Sequence, residues 1–135
     1  MICFIDSNIW FYYLSNKDDL NKTTIAEKII FNPQQDIVLS VQVINEVCFN
    51  LIRKKKLPEE KIQNVIVDFY QGFDVANLNE DIFLKASEIR NKHSFSYWDS
   101  LIFATALDSH ADILYSEDMQ NGFVLDGLEI VNPFA

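Results

Sequence analysis

Glycine and proline are scarce, three of each in 135 residues. That excludes a chain built from long flexible linkers or low-complexity turns. Cysteine is scarcer still. Cys3 and Cys48 both lie inside apolar runs, with no CxxC pair and no paired-histidine spacing, so neither a disulfide framework nor a zinc site is indicated. Both are expected to be buried free thiols in a reducing compartment. No stretch approaches the roughly 18 consecutive apolar residues of a membrane-spanning helix. The N-terminal run MICFIDSNIW carries no cationic leader, and Asp6 cuts it far short of a secretory signal. A cytoplasmic protein with no membrane contact is the expectation. There is no GxxxxGK[ST] phosphate loop, no GxSxG elbow and no internal repeat, so neither nucleotide binding by a P-loop nor a serine-hydrolase site is indicated. Length and composition predict one ordinary domain over 1–135, large enough to bury a real core.

Positive charge is also short: 11 basic residues face 20 acidic ones, for a net charge of −9. A protein of that balance does not coat nucleic acid by bulk electrostatics. The distribution is uneven. Arg53, Lys54, Lys55 and Lys56 form one dense cationic block, while after Lys92 there is no Lys or Arg at all. Such a separation suits a metal at one place and a polyanion at another. It equally suits a solvated helix end and a surface kept soluble.

What is present is an alternation of strand and helix signals. Ile2 to Ile5 is a continuous apolar run that predicts a buried strand ending at Asp6. A short helix is expected from Asn8 to Leu14 and a second from Asp18 to Phe31, with Leu20, Ile25, Ile29 and Ile30 on its apolar side. Ile37 to Leu39 is the next strand. Ser40 is placed as the N-cap of a helix carrying Val41, Ile44, Val47, Cys48, Leu51 and Ile52 at helical spacing. Pro58 opens a further helix to Gly72, at its first turn. Phe73 to Ala76 is a weak strand, followed by helices over 81–92 and 97–109. Ile113 to Tyr115 is a fourth strand. Phe123-Val124 and Leu128 to Val131 add strand material, turning at Asp126-Gly127. The pattern predicts a three-layer α/β fold, its central sheet mostly parallel and flanked by helices on both faces. In such sheets ligands bind beyond the strands' C-terminal ends.

That rule draws attention to four acids. Asp6 ends the first strand; alone, it suits an N-cap. Glu46 borders the apolar stripe of its helix and either snorkels or serves a site. Asp99, three residues after Ser96, suits a capping box. Asp118 follows the fourth strand and suits a turn. In a parallel α/β fold, however, all four converge on one edge of the sheet. Two carboxylates about 5 Å apart repel by roughly 3 kcal/mol at an effective dielectric near 20. A gathering of four therefore calls for a cation or raised pKa values. All-oxygen ligands select Mg²⁺ or Mn²⁺, and hard ions held by carboxylates are a recurrent device for attacking phosphodiesters.

At these residues a family resemblance appears. IDSNIW with Asp6, INEV with Glu46, YWDSLIFATAL with Asp99 and YSEDMQNG with Asp118 together resemble the PIN domain, especially the VapC-type toxins of toxin–antitoxin pairs, over nearly the whole chain. The resemblance implies a PIN-like parallel sheet and an endoribonuclease using one or two Mg²⁺ or Mn²⁺ ions. Asp6 and Asp99 match the positions that most directly hold metal, and Glu46 and Asp118 match the remaining acids. Asn8 and Ser116 match small polar positions that orient the carboxylates. Glu117, an extra acid, is either an outer-shell supporter or merely exposed. Metal-activated water would leave a 5′-phosphate and a 3′-hydroxyl. A homodimer and a cognate antitoxin are further implications, with Arg53 to Lys56 as a contact for RNA or antitoxin.

Trp10, Tyr12, Tyr13, Tyr97 and Trp98 have ring faces on which bases stack, although packing in the core or a dimer fits their spacing better. His93 and His110 fall near helix ends and are not expected to be catalytic. Two other functions compete. One is a non-catalytic interaction module with the same fold. The other is a phosphatase with a strand-ending Asp nucleophile, whose haloacid-dehalogenase-like version expects a second Asp where this chain has Asn8.

Overall fold

A computed structural model describes residues 1–15 and 19–135. Its elements follow in the order β1 (Ile2–Ile5), α1 (Ser7–Ser15), α2 (Leu20–Ile30), β2 (Asp36–Ser40), α3 (Val41–Lys55), α4 (Glu59–Gly72), β3 (Asp74–Ala76), α5 (Glu80–Lys92), α6 (Tyr97–Asp108), β4 (Ile113–Tyr115), β5 (Val124–Leu125) and β6 (Leu128–Val131). The strands form one sheet in the order β3-β2-β1-β4-β6-β5. Every pairing is parallel except the β5–β6 hairpin. The expected α/β architecture, a mostly parallel sheet flanked by helices, is therefore what forms.

The continuous apolar run of β1 has a direct cause. Its Phe4 pairs with Val38 on one side and Leu114 on the other, so both edges are hydrogen-bonded and Cys3, Phe4 and Ile5 are fully buried. β1 and β4 are neighbours although more than a hundred residues separate them. The chain builds outward from β1 to β2 and β3, then returns to add β4 and β6 on the other side. The β1–β4 junction is thus the point where the winding reverses, which opens a crevice at the C-terminal strand ends. Asp6 N–H donates to the Tyr115 carbonyl there, at 3.0 Å.

Local chemistry fixes several element ends. Ser40 caps α3 by accepting the Val43 N–H, Asn79 caps α5 from Ile82, and Ser96 caps α6 from Asp99. Pro58 stands at the N-cap of α4, one position outside the helix, rather than in its first turn. Asp126 and Gly127 both have positive φ, 51° and 84°, as a two-residue hairpin loop of the primed type requires. Trp10 belongs to the core: it is 1% exposed, packs edge-on against Phe69 and Phe73 at 5.0 and 4.9 Å, and donates Nε1–H to the Ile5 carbonyl at 3.1 Å.

Helix α2 corrects the sequence expectation. Its predicted start at Asp18 lies outside the described residues; Asp19 is the N-cap, accepting from the Lys22 N–H. Leu20, expected on the buried side, is 73% exposed. The buried face is Thr23, Ala26 and Ile30. Thr23 is admitted because its hydroxyl donates to the Tyr12 carbonyl at 3.0 Å, which removes the cost of an unpaired buried polar group. Cys48 is half-buried rather than buried, and both cysteines are free. Tyr97 and Trp98, expected to pack, are exposed. Among the described residues no helix is long and apolar enough to cross a membrane.

Candidate active site

The C-terminal edge of β1 delivers Asp6 to the crevice, and the carboxyl is nearly enclosed there, at 6% exposure. Its Oδ1 accepts the Ser7 N–H at 2.7 Å and its Oδ2 accepts the Ser116 hydroxyl at 2.8 Å. Ser116, fully buried just past β4, also accepts the Asp118 N–H at 3.3 Å. One serine thereby ties the ends of β1 and β4 to the loop that carries the fourth acid.

Glu46 enters from the second turn of α3. The Ser7 hydroxyl donates to its Oε2 at 2.7 Å, and the Gln42 amide donates to its Oε1 at 3.2 Å. The same Gln42 nitrogen donates to the Trp98 carbonyl at 3.2 Å. Gln42 therefore bridges the helix bearing Glu46 to the first turn of the helix bearing Asp99. Asp118 is exposed and is held from α1, where Asn8 Nδ2 donates to its Oδ2 at 3.1 Å. Asn8 Oδ1 in turn accepts the Glu117 N–H at 3.3 Å.

Electrostatics link the acids across this space. Burial pushes the Asp6 carboxyl up to about 7; the hydrogen bonds from Ser116 and Ser7 oppose the rise, and the charges of Glu46 and Asp99 add to it. Asp99 is also raised, chiefly by burial, with Asp118 and Glu46 adding and Ser96 opposing. The carboxylates thus bear on one another without closing on a point. Among the described residues no group of three or more His, Cys, Asp or Glu is drawn tightly around one position. Such an open, all-oxygen set suits Mg²⁺ or Mn²⁺, which bind through one or two carboxylates and keep several waters. Each Asp6 oxygen takes one hydrogen bond and so retains acceptor capacity for an ion.

Glu117 is placed differently from its neighbour. Its carboxylate receives the Lys22 ammonium at 2.5 Å and the Tyr12 hydroxyl, and the Lys22 nitrogen lies against the Tyr12 and Phe134 rings at 4.9 and 5.4 Å. Only its backbone N–H reaches the acids, through Asn8. Arg53, Lys54, Lys55 and Lys56 stand at the C-terminal end of α3, about 10–15 Å of helix rise beyond Glu46. Arg53 lies over the Phe49 ring and Lys54 over Phe11.

Sequence reasoning passed over Ser7, Gln42 and Lys22. Gln42 carried a signal, since it lies one helical turn before Glu46, where side chains meet. Ser7 carried none beyond its place after Asp6. Lys22 carried none, because its partners lie on other elements.

The family model described as PIN domain matches residues 3–121. Among solved structures, the fold is similar to a toxin–antitoxin complex from Klebsiella pneumoniae, with a TM-score of 0.74 and 18% identity over 97% of each chain. It is similar to VapBC2 of Rickettsia felis bound to a fragment of its promoter DNA, at 0.67 and 18%, over 96% of this chain and 97% of that one. It is similar also to Mycobacterium tuberculosis VapC20, a toxin that cleaves the sarcin–ricin loop, at 0.68 and 16%, over 83% and 86%. At these identities the likeness is one of fold. No curated protein is similar enough in sequence to count as a relative.

Proposed function

This chain belongs to the PIN domain family, and from that premise we propose that it is a metal-dependent endoribonuclease, the toxin of a type II toxin–antitoxin pair. In this reading residues 1–135 form a single nuclease domain. It acts in the cytoplasm as a homodimer and is held in check by a cognate antitoxin. Support for the toxin role comes from the fold shared with toxin–antitoxin proteins. The observation that carries the catalytic reading is Asp6. A carboxyl enclosed at a strand end, pushed up to about 7 and pressed by two further acids, costs stability that a bound cation offsets.

Asp6 and Asp99 would hold Mg²⁺ or Mn²⁺ directly, with Glu46 and Asp118 completing its surroundings, one or two ions in all. When bound, the ion would supply Lewis acidity at the phosphate and make a nearby water more acidic, easing loss of its proton to a base. The chain's own groups do the rest. Ser116 and the Ser7 N–H fix the Asp6 oxygens. Ser7 and Gln42 hold Glu46 with one bond to each oxygen, so a lone pair remains to accept the proton of an attacking water. Asn8 keeps Asp118 turned toward the other acids. In-line attack on phosphorus would expel the 3′-oxygen and leave a 5′-phosphate.

The test is cleavage of a mixed RNA pool with Mn²⁺ or Mg²⁺ by the wild type and by Asp6→Asn. The wild type should cut only with metal present. Asp6→Asn should lose more than the roughly 10–100-fold typical of outer-shell changes. An intact pool in metal would reject the reading and leave a non-catalytic module of the same fold, whereas cleavage that survives Asp6→Asn would reject this carboxylate site as its source.

A further inference from the structure

An acidic nuclease needs a way to hold RNA other than bulk charge, and the first turn of α6 offers one. Trp98 is 63% exposed and Tyr97 49%, their rings edge to face at 5.1 Å. This contrasts with Trp10, the other tryptophan, which is sealed in the core. Large exposed rings side by side are uncommon unless they meet something. Their placement says what. Asp99 is the next residue, and the Trp98 carbonyl accepts the Gln42 amide that also holds Glu46. The backbone of the pair is therefore two hydrogen bonds from an acid of the site.

A cation stands beside the rings. The Arg90 guanidinium lies 4.6 Å from the Tyr97 ring centre, and its Nη1 donates to the fully buried Ser100 at 2.7 Å. Ser100 donates onward to the Tyr97 carbonyl at 2.6 Å. These contacts fix the guanidinium fork. Among the described residues Arg90 pairs with no carboxylate, so its remaining N–H groups are available to an outside anion. A ring face, a free arginine fork and a carboxylate site in sequence suit a base, its phosphate and the bond to be cut. The surroundings do not suit a protein interface. Ser94, Ser96 and Asp99 border the rings in sequence, and two aromatic side chains fall far short of the roughly 800 Å² per partner of a stable dimer face.

We infer that the Trp98 ring stacks an unpaired base of the substrate RNA, with Tyr97 bracing it edge-on, and that Arg90 takes a neighbouring phosphate. This rests on the ribonuclease reading of the same site. Every base has a π-face, so the contact would be tolerant of sequence but closed to paired bases. It also gives an acidic protein a purchase on RNA that does not depend on its net charge.

The measurement is binding of a short labelled single-stranded oligoribonucleotide to the Asp6→Asn protein, followed by anisotropy and by tryptophan fluorescence. Trp10 is buried, so quenching reports on Trp98. Quenching is expected with the single strand and not with the same sequence as a duplex. Trp98→Leu should abolish the quenching and weaken binding about 5- to 100-fold, the effect of losing one base–aromatic stack. Trp98→Phe should restore most of the affinity. Arg90→Met should lower the salt dependence of binding by about one counterion-release step. In the active protein Trp98→Leu should raise KM and leave kcat nearly unchanged. Single-strand affinity equal in Trp98→Leu and its parent, or binding without quenching, overturns the inference. So does conversion of a dimer to a monomer by Trp98→Leu with RNA affinity unchanged, which would assign the rings to a second copy. The two readings fail separately. Stacking without metal-dependent cleavage rejects the ribonuclease, whereas Asp6-dependent cleavage with an unchanged KM in Trp98→Leu rejects only the stack.

Discussion

Burial of Asp6 behind the β1–β4 junction has a consequence for stability that a single substitution exposes. In the unfolded chain this carboxyl titrates near 3.8, and in the fold it is pushed up to about 7 by burial first and by Glu46 and Asp99 as well. Between those values the native state keeps a proton that the unfolded state has released. Stability contributed by this group therefore falls as pH rises from about 4 to 7, and the loss is complete above 7. Asn at this position carries no charge. Its Oδ1 can accept the Ser7 N–H and its amide can donate to Ser116. In chelator, Asp6→Asn should melt above the wild type at pH 8, with the two curves meeting near pH 4. Thermal melts across that range check it; a constant gap, or none, would mean the carboxyl is not the source of the pH dependence. The substitution expected to end activity should thus also stabilise the metal-free protein.

At the scale of elements, the loop after β4 is held by parts that are far apart in sequence. Lys22 on α2 and Tyr12 on α1 grip the Glu117 carboxylate, Asn132 Nδ2 donates to the Glu117 carbonyl at 3.4 Å, and Phe134 lies against Lys22. The same loop presents Asp118 to the acids through Asn8. Lys22 thus stabilises the loop and also neutralises an acid that would otherwise sit unpaired beside Asp118. Lys22→Met should speed hydrogen exchange at the Glu117 and Asp118 amides while leaving the buried amides of α6 unchanged. It should weaken Mn²⁺ binding several-fold, and Lys22→Arg should recover both. Unchanged exchange at those two amides, or tighter Mn²⁺ binding because the freed Glu117 joins the site, would refute this role.

For the molecule as a whole, the Arg53–Lys56 block lies about two to three turns of α3 beyond Glu46, too far to pair directly with that carboxylate. Protonation of Asp6 relieves part of the repulsion, and a bound cation would relieve the rest. Binding to the native state alone stabilises by about 2.7 kcal/mol at a hundredfold excess over Kd. The wild type should therefore gain several degrees in Tm on moving from chelator to millimolar Mn²⁺, and both Asp6→Asn and Asp99→Asn should lose most of that gain. A melt indifferent to Mn²⁺ in the wild type would argue against metal binding at this edge.

Some of this was decided by sequence alone. The run Ile2–Ile5, short and rich in strand formers, reads as a strand covered on both faces, and alternation of such runs with helical spacing implies a parallel sheet. That topology sends Asp6 and Asp118 to one edge, whatever the detailed packing. Asp126-Gly127 encoded its own turn. Periodicity, however, reports which face of an element is apolar and not what lies opposite. It placed Leu20 inside because it could not register that a Thr hydroxyl would be satisfied by another helix's carbonyl. It left open whether Glu117 supports the site or is merely exposed, since a neighbour in sequence says nothing of Lys22 on α2 or Asn8 on α1. It also left Trp10 and Trp98 alike, although one meets Phe69 and Phe73 and the other meets solvent. Hydrogen bonds such as Asn8 to Asp118 span 110 residues and exist only once the crossovers have wound β1 against β4. The type of chemistry at the site is thus a property of the residues, and the identity of each acid's partner is a property of the fold.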